Sequence, residues 1–234
     1  MISKLLSGNF GSMDLIGLLL RIPIVLIALS VHECAHGYIA YKMGDTTAKS
    51  FGRLTLNPIK HLDLFGTVCM FLFGFGWAKP VPINARRFDN PKKGMALTAL
   101  AGPVSNVILS FLGLILYGIA YVLAVKFPDV FYGSSFAVNF YNVLVTFLMM
   151  FHTMNLSLAI FNLFPIPPLD GSRLALAVLP DKLYFGLMKY EQIIQIVLML
   201  ALFSGLLDVP LNFIIGAVSS GMFKIINFFI GLIV

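Results

Sequence analysis

The sequence predicts an all-α membrane protein: a polytopic helical bundle of about five to six hydrophobic segments with a short membrane-associated β hairpin or re-entrant region. Three observations predict it. Of the 234 residues, 59% are hydrophobic and only 11% are charged, whereas a soluble domain carries about 25% charged residues. Mean hydropathy is +0.94. The long segments are apolar throughout, as lipid-facing helices are, whereas barrel strands would alternate polar and apolar residues.

The segments follow in order. Residues 15–42 are long enough to span with tilt and are closed by Gly44-Asp45. The N-terminus has one basic residue, Lys4, and no small-x-small site follows, so the first span is expected to be retained rather than cleaved. Residues 45–61, "DTTAKSFGRLTLNPIKH", are polar and basic and read as loop with short strands. Residues 64–76, "LFGTVCMFLFGFG", are apolar but short for a span and contain three glycines. Basic residues flank them on both sides, which predicts a segment that enters the membrane and returns. Residues 95–125 span, with Gly102-Pro103 as a candidate break, and residues 126–136 form a loop. Residues 137–162 span back to a proline-rich stretch, "FPIPPLDGSR". Two further apolar segments, 187–207 and 211–233, are separated at Asp208-Val209-Pro210. With no repeat and no appended soluble region, residues 1–234 read as a single membrane-embedded domain with a core at about 14–180 and C-terminal helices at about 187–233.

The net charge is +6, and nine of the sixteen Lys and Arg lie between Lys42 and Lys93. They flank hydrophobic segments and form no nucleic-acid-binding arm, so they mark the cytoplasmic side. Alternating the spans adds Arg173, Lys182 and Lys189 to that side, twelve of sixteen in all. The first span then runs inward, and the end of segment 137–162 meets its C-terminal half at similar depth. Cys34 and Cys69 sit in apolar surroundings, which disfavours a disulfide framework.

The stretch "SVHECAHGYI", residues 30–39, puts His32, Glu33 and His36 into the first span. A charge at the centre of a membrane helix costs roughly 2.5 kcal/mol or more, so these residues need a compensating partner. Helical spacing places His32 and His36 on one face, about 5–6 Å apart at Cβ, where two imidazoles can hold one ion. Glu33 is offset by one residue and can reach a water on that ion. This is the H-E-x-x-H arrangement of zinc peptidases, in which the metal lowers the pKa of its water to about 7 and the glutamate takes a proton. With four His and two Glu in the chain, chance would produce the pattern in roughly 4 of 10,000 shuffled sequences. The bland reading is a set of polar helix–helix contacts. A catalytic zinc usually has three protein ligands. Asp170, delivered by "FNLFPIPPLDG" directly after a span, is a good third ligand, because irregular backbone at membrane depth is tolerated only where it lines a cavity or is buried in protein. His61 and Asp63 read as structural, and His152 and Cys34 as packing residues.

HECAH in an apolar helix, followed downstream by "NLFPIPPLDG", resembles the site-2 protease family of intramembrane zinc metalloproteases. "LNPIKHLDLFGT" (56–67), "GWAKPVPIN" (76–84) and "AGPVSN" (101–106) also resemble family segments. The resemblance implies His32, His36 and Asp170 as ligands of one Zn2+ per chain and Glu33 as general base. It implies that Asn162 stabilises an oxyanion or positions substrate, and it makes Asn106 a weaker candidate for lining the site. The substrate it implies is the transmembrane segment of another protein, such as a membrane-tethered regulator. The chain has no room for the PDZ or CBS domains of many family members and reads as a compact core form in a bacterial or archaeal cell membrane, and the charge distribution puts the site nearer the cytoplasm. Alternating prolines fit an edge strand, so Lys79, Pro80, Val81 and Pro82 are candidates for pairing with an extended substrate. The competing readings are a membrane zinc or metal-ion transporter and a catalytically silent helix binder. Ionisable residues clustered near one side disfavour the first, and an intact Glu33 disfavours the second.

Overall fold

The computed structural model describes residues 11–73, 78–180, 186 and 188–233. All the regular structure among them is helical. In chain order the helices are α1 (Ser12–Lys42), α2 (Thr47–Ser50), α3 (Leu64–Phe73), α4 (Pro91–Lys126), α5 (Pro128–Tyr132), α6 (Ser135–Asn162), α7 (Asp170–Val178), α8 (Glu191–Phe203) and α9 (Asp208–Gly231). Four of them, α1, α4, α6 and α9, are long and apolar enough to cross a membrane. This fits the bilayer: with no water to satisfy backbone groups, a helix closes its own hydrogen bonds. The ten residues of α3 rise only about 15 Å, half the apolar thickness. The thirteen-residue α8 is also shorter than a span.

Three expectations change. The candidate break at Gly102-Pro103 is absent, because α4 runs unbroken through Pro103. One missing amide removes one hydrogen bond, and in lipid the remaining backbone groups favour keeping the helix. The loop at 126–136 contains the short helix α5, started by Pro128. The short strands expected in 45–61 and the edge strand expected at 79–82 are not seen among the described residues. Instead Asp45 accepts hydrogen bonds from the amide and hydroxyl of Thr47 at the start of α2. Asn57 accepts from the Ile59 amide to open a single 3-10 turn, Pro58–Lys60. Residues 78–84 form no helix and no ladder; Pro80 and Pro82 fix their own φ and bias the residues before them toward extended chain. Residues 74–77, the end of the expected re-entrant segment, lie outside the described residues.

The chain divides into two compact units. The first comprises residues 1–105 and 162–194. Its core includes one stripe of α1 (Val25, Leu29, His32, Glu33, His36 and Ala40), buried at helical spacing. Other faces of α1 expose Leu19, Ile22, Ile27 and Tyr38, as expected where lipid is the solvent. Gly44 ends α1 at φ +102°. Its amide donates to the Tyr41 carbonyl and that of Asp45 to Ala40, the two bonds of a Schellman motif.

The second unit comprises residues 106–161 and 195–234. Polar side chains join its helices. Asn106 of α4 donates to Asn155 of α6 at 2.9 Å. His152 of α6 bonds Ser110 of α4 at 2.8 Å and Ser219 of α9 at 2.9 Å. Small residues permit this closeness: a Cβ at Gly113 would stand 2.9 Å from the Phe151 ring. A cavity of about 390 Å³ between α4 and α9 is lined by Phe111, Ile115, Ile119, Ile226 and other apolar residues. It carries no polar group and therefore no chemistry.

Candidate metal centre

The first unit brings His32, His36 and Asp170 together. The His32 and His36 Nε2 atoms are 3.0 Å apart, and each lies 3.1 Å from Asp170 Oδ2. All three residues are largely enclosed. Three donor atoms that face one another cannot satisfy each other. Two neutral imidazole nitrogens cannot bond without a proton between them, and a carboxylate only accepts. The triangle instead suits a cation. Ligands about 2.0–2.1 Å from a tetrahedral zinc stand roughly 3.3 Å apart, close to the spacing here.

The surroundings set the protonation that such a cation needs. The Thr98 carbonyl can only accept, so His36 Nδ1 donates to it at 2.6 Å. In a neutral ring this leaves Nε2 as the acceptor that faces the triangle.

Local sequence explains how Asp170 arrives. α6 ends at Asn162, and Pro165, Pro167 and Pro168 bar a helix until α7 begins at Asp170 itself. Gly171 fits because any Cβ there would collide with the Leu163 and Phe164 carbonyls. The Asp-Gly pair is thus one unit, in which the acid points at the imidazoles and the glycine lets the corner close. Glu33, in the same turn as the histidines, is also buried, and its Oε2 accepts from the Val81 amide at 2.9 Å.

The remaining sequence candidates fall as follows. Asn162 closes α6 in this same unit and is partly exposed. Lys79 and Pro80 are exposed, Pro82 is half-buried, and the Val81 side chain is buried against α1. Asn106 belongs to the second unit, in its bond with Asn155. Asp63 accepts from the Gly66 amide at 2.8 Å, and His61 bonds the Thr55 carbonyl at 2.7 Å, as expected of structural residues. Cys34 and Cys69 are free thiols.

Sequence reasoning missed three contributors. A Cβ at Gly102 would stand 2.5 Å from the His36 ring and 2.6 Å from that of His32, so glycine is what allows α4 to approach the imidazoles. Thr98 acts through its backbone carbonyl, which leaves no side-chain signal. Arg53, buried in a basic loop, donates to the carbonyls of Lys79 and Pro80. Only Gly102 carried a hint, as the small residue of "AGPVSN".

A polytopic helical protein with a buried His-Glu-x-x-His turn closed by a distant aspartate is a membrane-embedded metallopeptidase in outline. The profile of "Peptidase family M50" matches residues 21–206, most of the chain. The chain belongs to this family, that of the site-2 proteases, and the metal the family implies is Zn2+. It is 45% identical over 156 residues to "Putative zinc metalloprotease YwhC" of Bacillus subtilis, covering 67% of each chain. It is 27% identical over 151 residues to "Putative zinc metalloprotease Rip2" of Mycolicibacterium smegmatis, covering 62% of this chain and 52% of that one. No solved structure matches it significantly.

Proposed function

We propose that this zinc metalloprotease hydrolyses peptide bonds within or beside the transmembrane segments of membrane-protein substrates, with His32, His36 and Asp170 holding one Zn2+ and Glu33 acting as general base. The observation that carries this is the triangle of three donor atoms 3.0–3.1 Å apart, drawn from one turn of α1 and from Asp170, 138 residues beyond His32 in the chain. When bound, zinc supplies Lewis-acid polarisation and a lowered pKa for water. The residues of the chain do the rest. Glu33 takes the proton of the attacking water and returns it to the leaving amine. Thr98 keeps the proton of His36 on Nδ1. Asn162 has side-chain N–H donors suited to an oxyanion.

A transmembrane helix hides its carbonyls in its own hydrogen bonds, so the substrate must unwind before it is cut. Exposed Lys79 and Pro80 are candidates for contact with an unwound substrate, through side chains and carbonyl oxygens rather than amides, because the Lys79 and Val81 amides are bonded to the His61 carbonyl and Glu33 and the prolines have none. Asn106 is a weaker candidate for lining the substrate path. The short α3 suits a re-entrant segment, and the concentration of basic residues between 42 and 93 suits a cytoplasmic active site in a bacterial or archaeal membrane. Residues 1–234 then act as one protease domain, and a membrane-tethered regulator is a fitting substrate. No observation favours metal transport or silent helix binding.

The test compares cells carrying wild-type protein with cells carrying Glu33→Gln. The membrane proteins that lose a tail only in the first set are substrates. The transmembrane helix of one of them, fused between maltose-binding protein and a fluorescent protein, serves as the purified probe. Glu33→Gln is expected to retain one zinc per chain and leave the probe intact. Cleavage by purified Glu33→Gln would remove Glu33 from its role.

A further inference from the structure

We infer that the proline-stiffened segment 78–84 is what orients Glu33, through the Val81 amide, and that Arg53 and Asp45 are positioning residues that act through this segment. The inference rests on Glu33 being the general base.

Glu33 Oε2 accepts from the Val81 N–H at 2.9 Å in a buried setting. Val81 lies between Pro80 and Pro82, neither of which has an amide hydrogen. Across these three residues the backbone therefore offers a single donor, and it is aimed at the carboxylate. The prolines also stiffen the segment: each fixes its own φ and pushes the residue before it into extended conformation. A stiff strap with one donor can fix one carboxylate oxygen and leave the other to handle a proton.

The strap is itself held at both ends. Arg53, buried in the first unit, donates to the carbonyls of Lys79 and Pro80. The Lys79 amide donates to the His61 carbonyl at 2.9 Å. At the far end the Asn84 amide donates to Asp45 Oδ2 at 2.6 Å. Between these clamps the strap lies directly on α1. A Cβ at Gly37, one turn beyond Glu33, would stand 3.3 Å from Val81 Cγ1. Arg53 makes no contact with Glu33 in this scheme. It fixes the carbonyls on the N-terminal side of Val81, and hence the direction of that amide. A base misplaced by about 1 Å can lose about 100-fold in rate, so the bond from the Val81 amide to Glu33 acts on turnover.

The experiment deletes the donor alone. Val81→Pro removes the N–H and keeps an extended backbone. If that variant does not accumulate, replacing Val81 with its α-hydroxy acid makes the same deletion with the side chain intact. Steady-state kinetics on the fluorescent fusion probe are read beside zinc stoichiometry for wild type, the Val81 variant, Arg53→Ala, Arg53→Lys and Glu33→Gln. The expected result is a kcat lowered about 10-fold or more by the Val81 change, with KM within about twofold and one zinc retained. Arg53→Ala is expected to lower kcat in the same way and Arg53→Lys to restore part of it. The double Val81/Arg53 variant should be less impaired than the product of the singles, because both act through one carboxylate. An unchanged kcat in the Val81 variant, a loss confined to KM, or a fully multiplicative double variant overturns the inference. Glu33→Gln separates the two readings. If it is active, the general-base assignment fails; if it is dead while the Val81 variant turns over normally, only the strap inference fails.

Discussion

Replacing Gly102 with alanine adds one methyl group at the closest approach of α4 to the imidazoles. The new Cβ would stand 2.5 Å from Cε1 and Nε2 of His36 and 2.6 Å from Cε1 of His32. Nonbonded carbon contacts settle near 3.5–4.0 Å, so the rings or the helix must withdraw by about 1 Å. Metal–ligand distances tolerate only about 0.2 Å. Withdrawal of α4 would also stretch the bond from His36 Nδ1 to the Thr98 carbonyl, which fixes the ring's proton. Loss of such an outer partner alone costs about 10–100-fold in metal affinity. With the rings displaced as well, Gly102→Ala should weaken zinc binding by about 100-fold or more, or about 2.8 kcal/mol. The assay is zinc competition against a chromogenic chelator in detergent, with folding followed by circular dichroism. Gly17→Ala is the control, because nothing lies within 4 Å of its added Cβ. If Gly102→Ala holds zinc within threefold of wild type, the two imidazoles do not converge against α4 as described, and the reasoning fails.

Two further outcomes follow from polar groups away from the triangle. Burial pushes the Asp45 carboxyl up, but the amides of Asn84 and Thr47, the Thr47 hydroxyl and the nearby Arg87 outweigh it and hold the carboxyl below its ordinary value. A depressed folded-state pKa gives stability that is present above the unfolded pKa of about 3.9 and lost as pH falls through the folded value. Asp45→Asn should therefore lower the thermal midpoint at pH 7, and the gap to wild type should close below about pH 4; a gap that is constant with pH would exclude the charge as its cause. His152→Leu should lower the thermal midpoint without changing zinc stoichiometry, because it removes bonds to Ser110 and Ser219, each worth about 0.6–1.7 kcal/mol between membrane helices. Loss of zinc at unchanged stability would instead assign His152 to the metal chemistry.

The parts of the site legible in the sequence are those set by local rules. The i, i+4 spacing of His32 and His36 is a property of any helix, and the prolines before Asp170 announce an irregular corner wherever the chain goes. The strap was legible as extended chain, since Pro80 and Pro82 dictate it, but its partners were not. Hydrogen bonds from Val81, Lys79 and Asn84 involve backbone amides, which every residue but proline has, so no residue pattern marks them. Pro103 misled because its usual effect in water is to end a helix, whereas in α4 it is fully buried and the helix runs on through it at the loss of one bond. Gly102 was readable as small but not as a contact, because a close approach depends on what packs opposite.

The stretch that looked most costly in the sequence shows how these levels connect. Lipid would penalise His32, Glu33 and His36, but they occupy the stripe of α1 that faces protein, where Glu33 accepts from the Val81 amide, His36 donates to the Thr98 carbonyl and His32 faces Asp170 across the candidate metal position. Keeping Val81 in place depends on how α1 ends. Gly44 takes the positive φ that a β-carbon would oppose, and the Schellman turn brings Asp45 out of the helix at once. Asp45 then captures the Asn84 amide and tethers the far end of the strap that contacts Glu33 three helical turns back. A helix-termination rule thus bears on the orientation of Glu33, the proposed general base. A β-branched residue at Gly44 should therefore disturb turnover as well as stability, even though it touches none of His32, His36, Asp170 and Glu33.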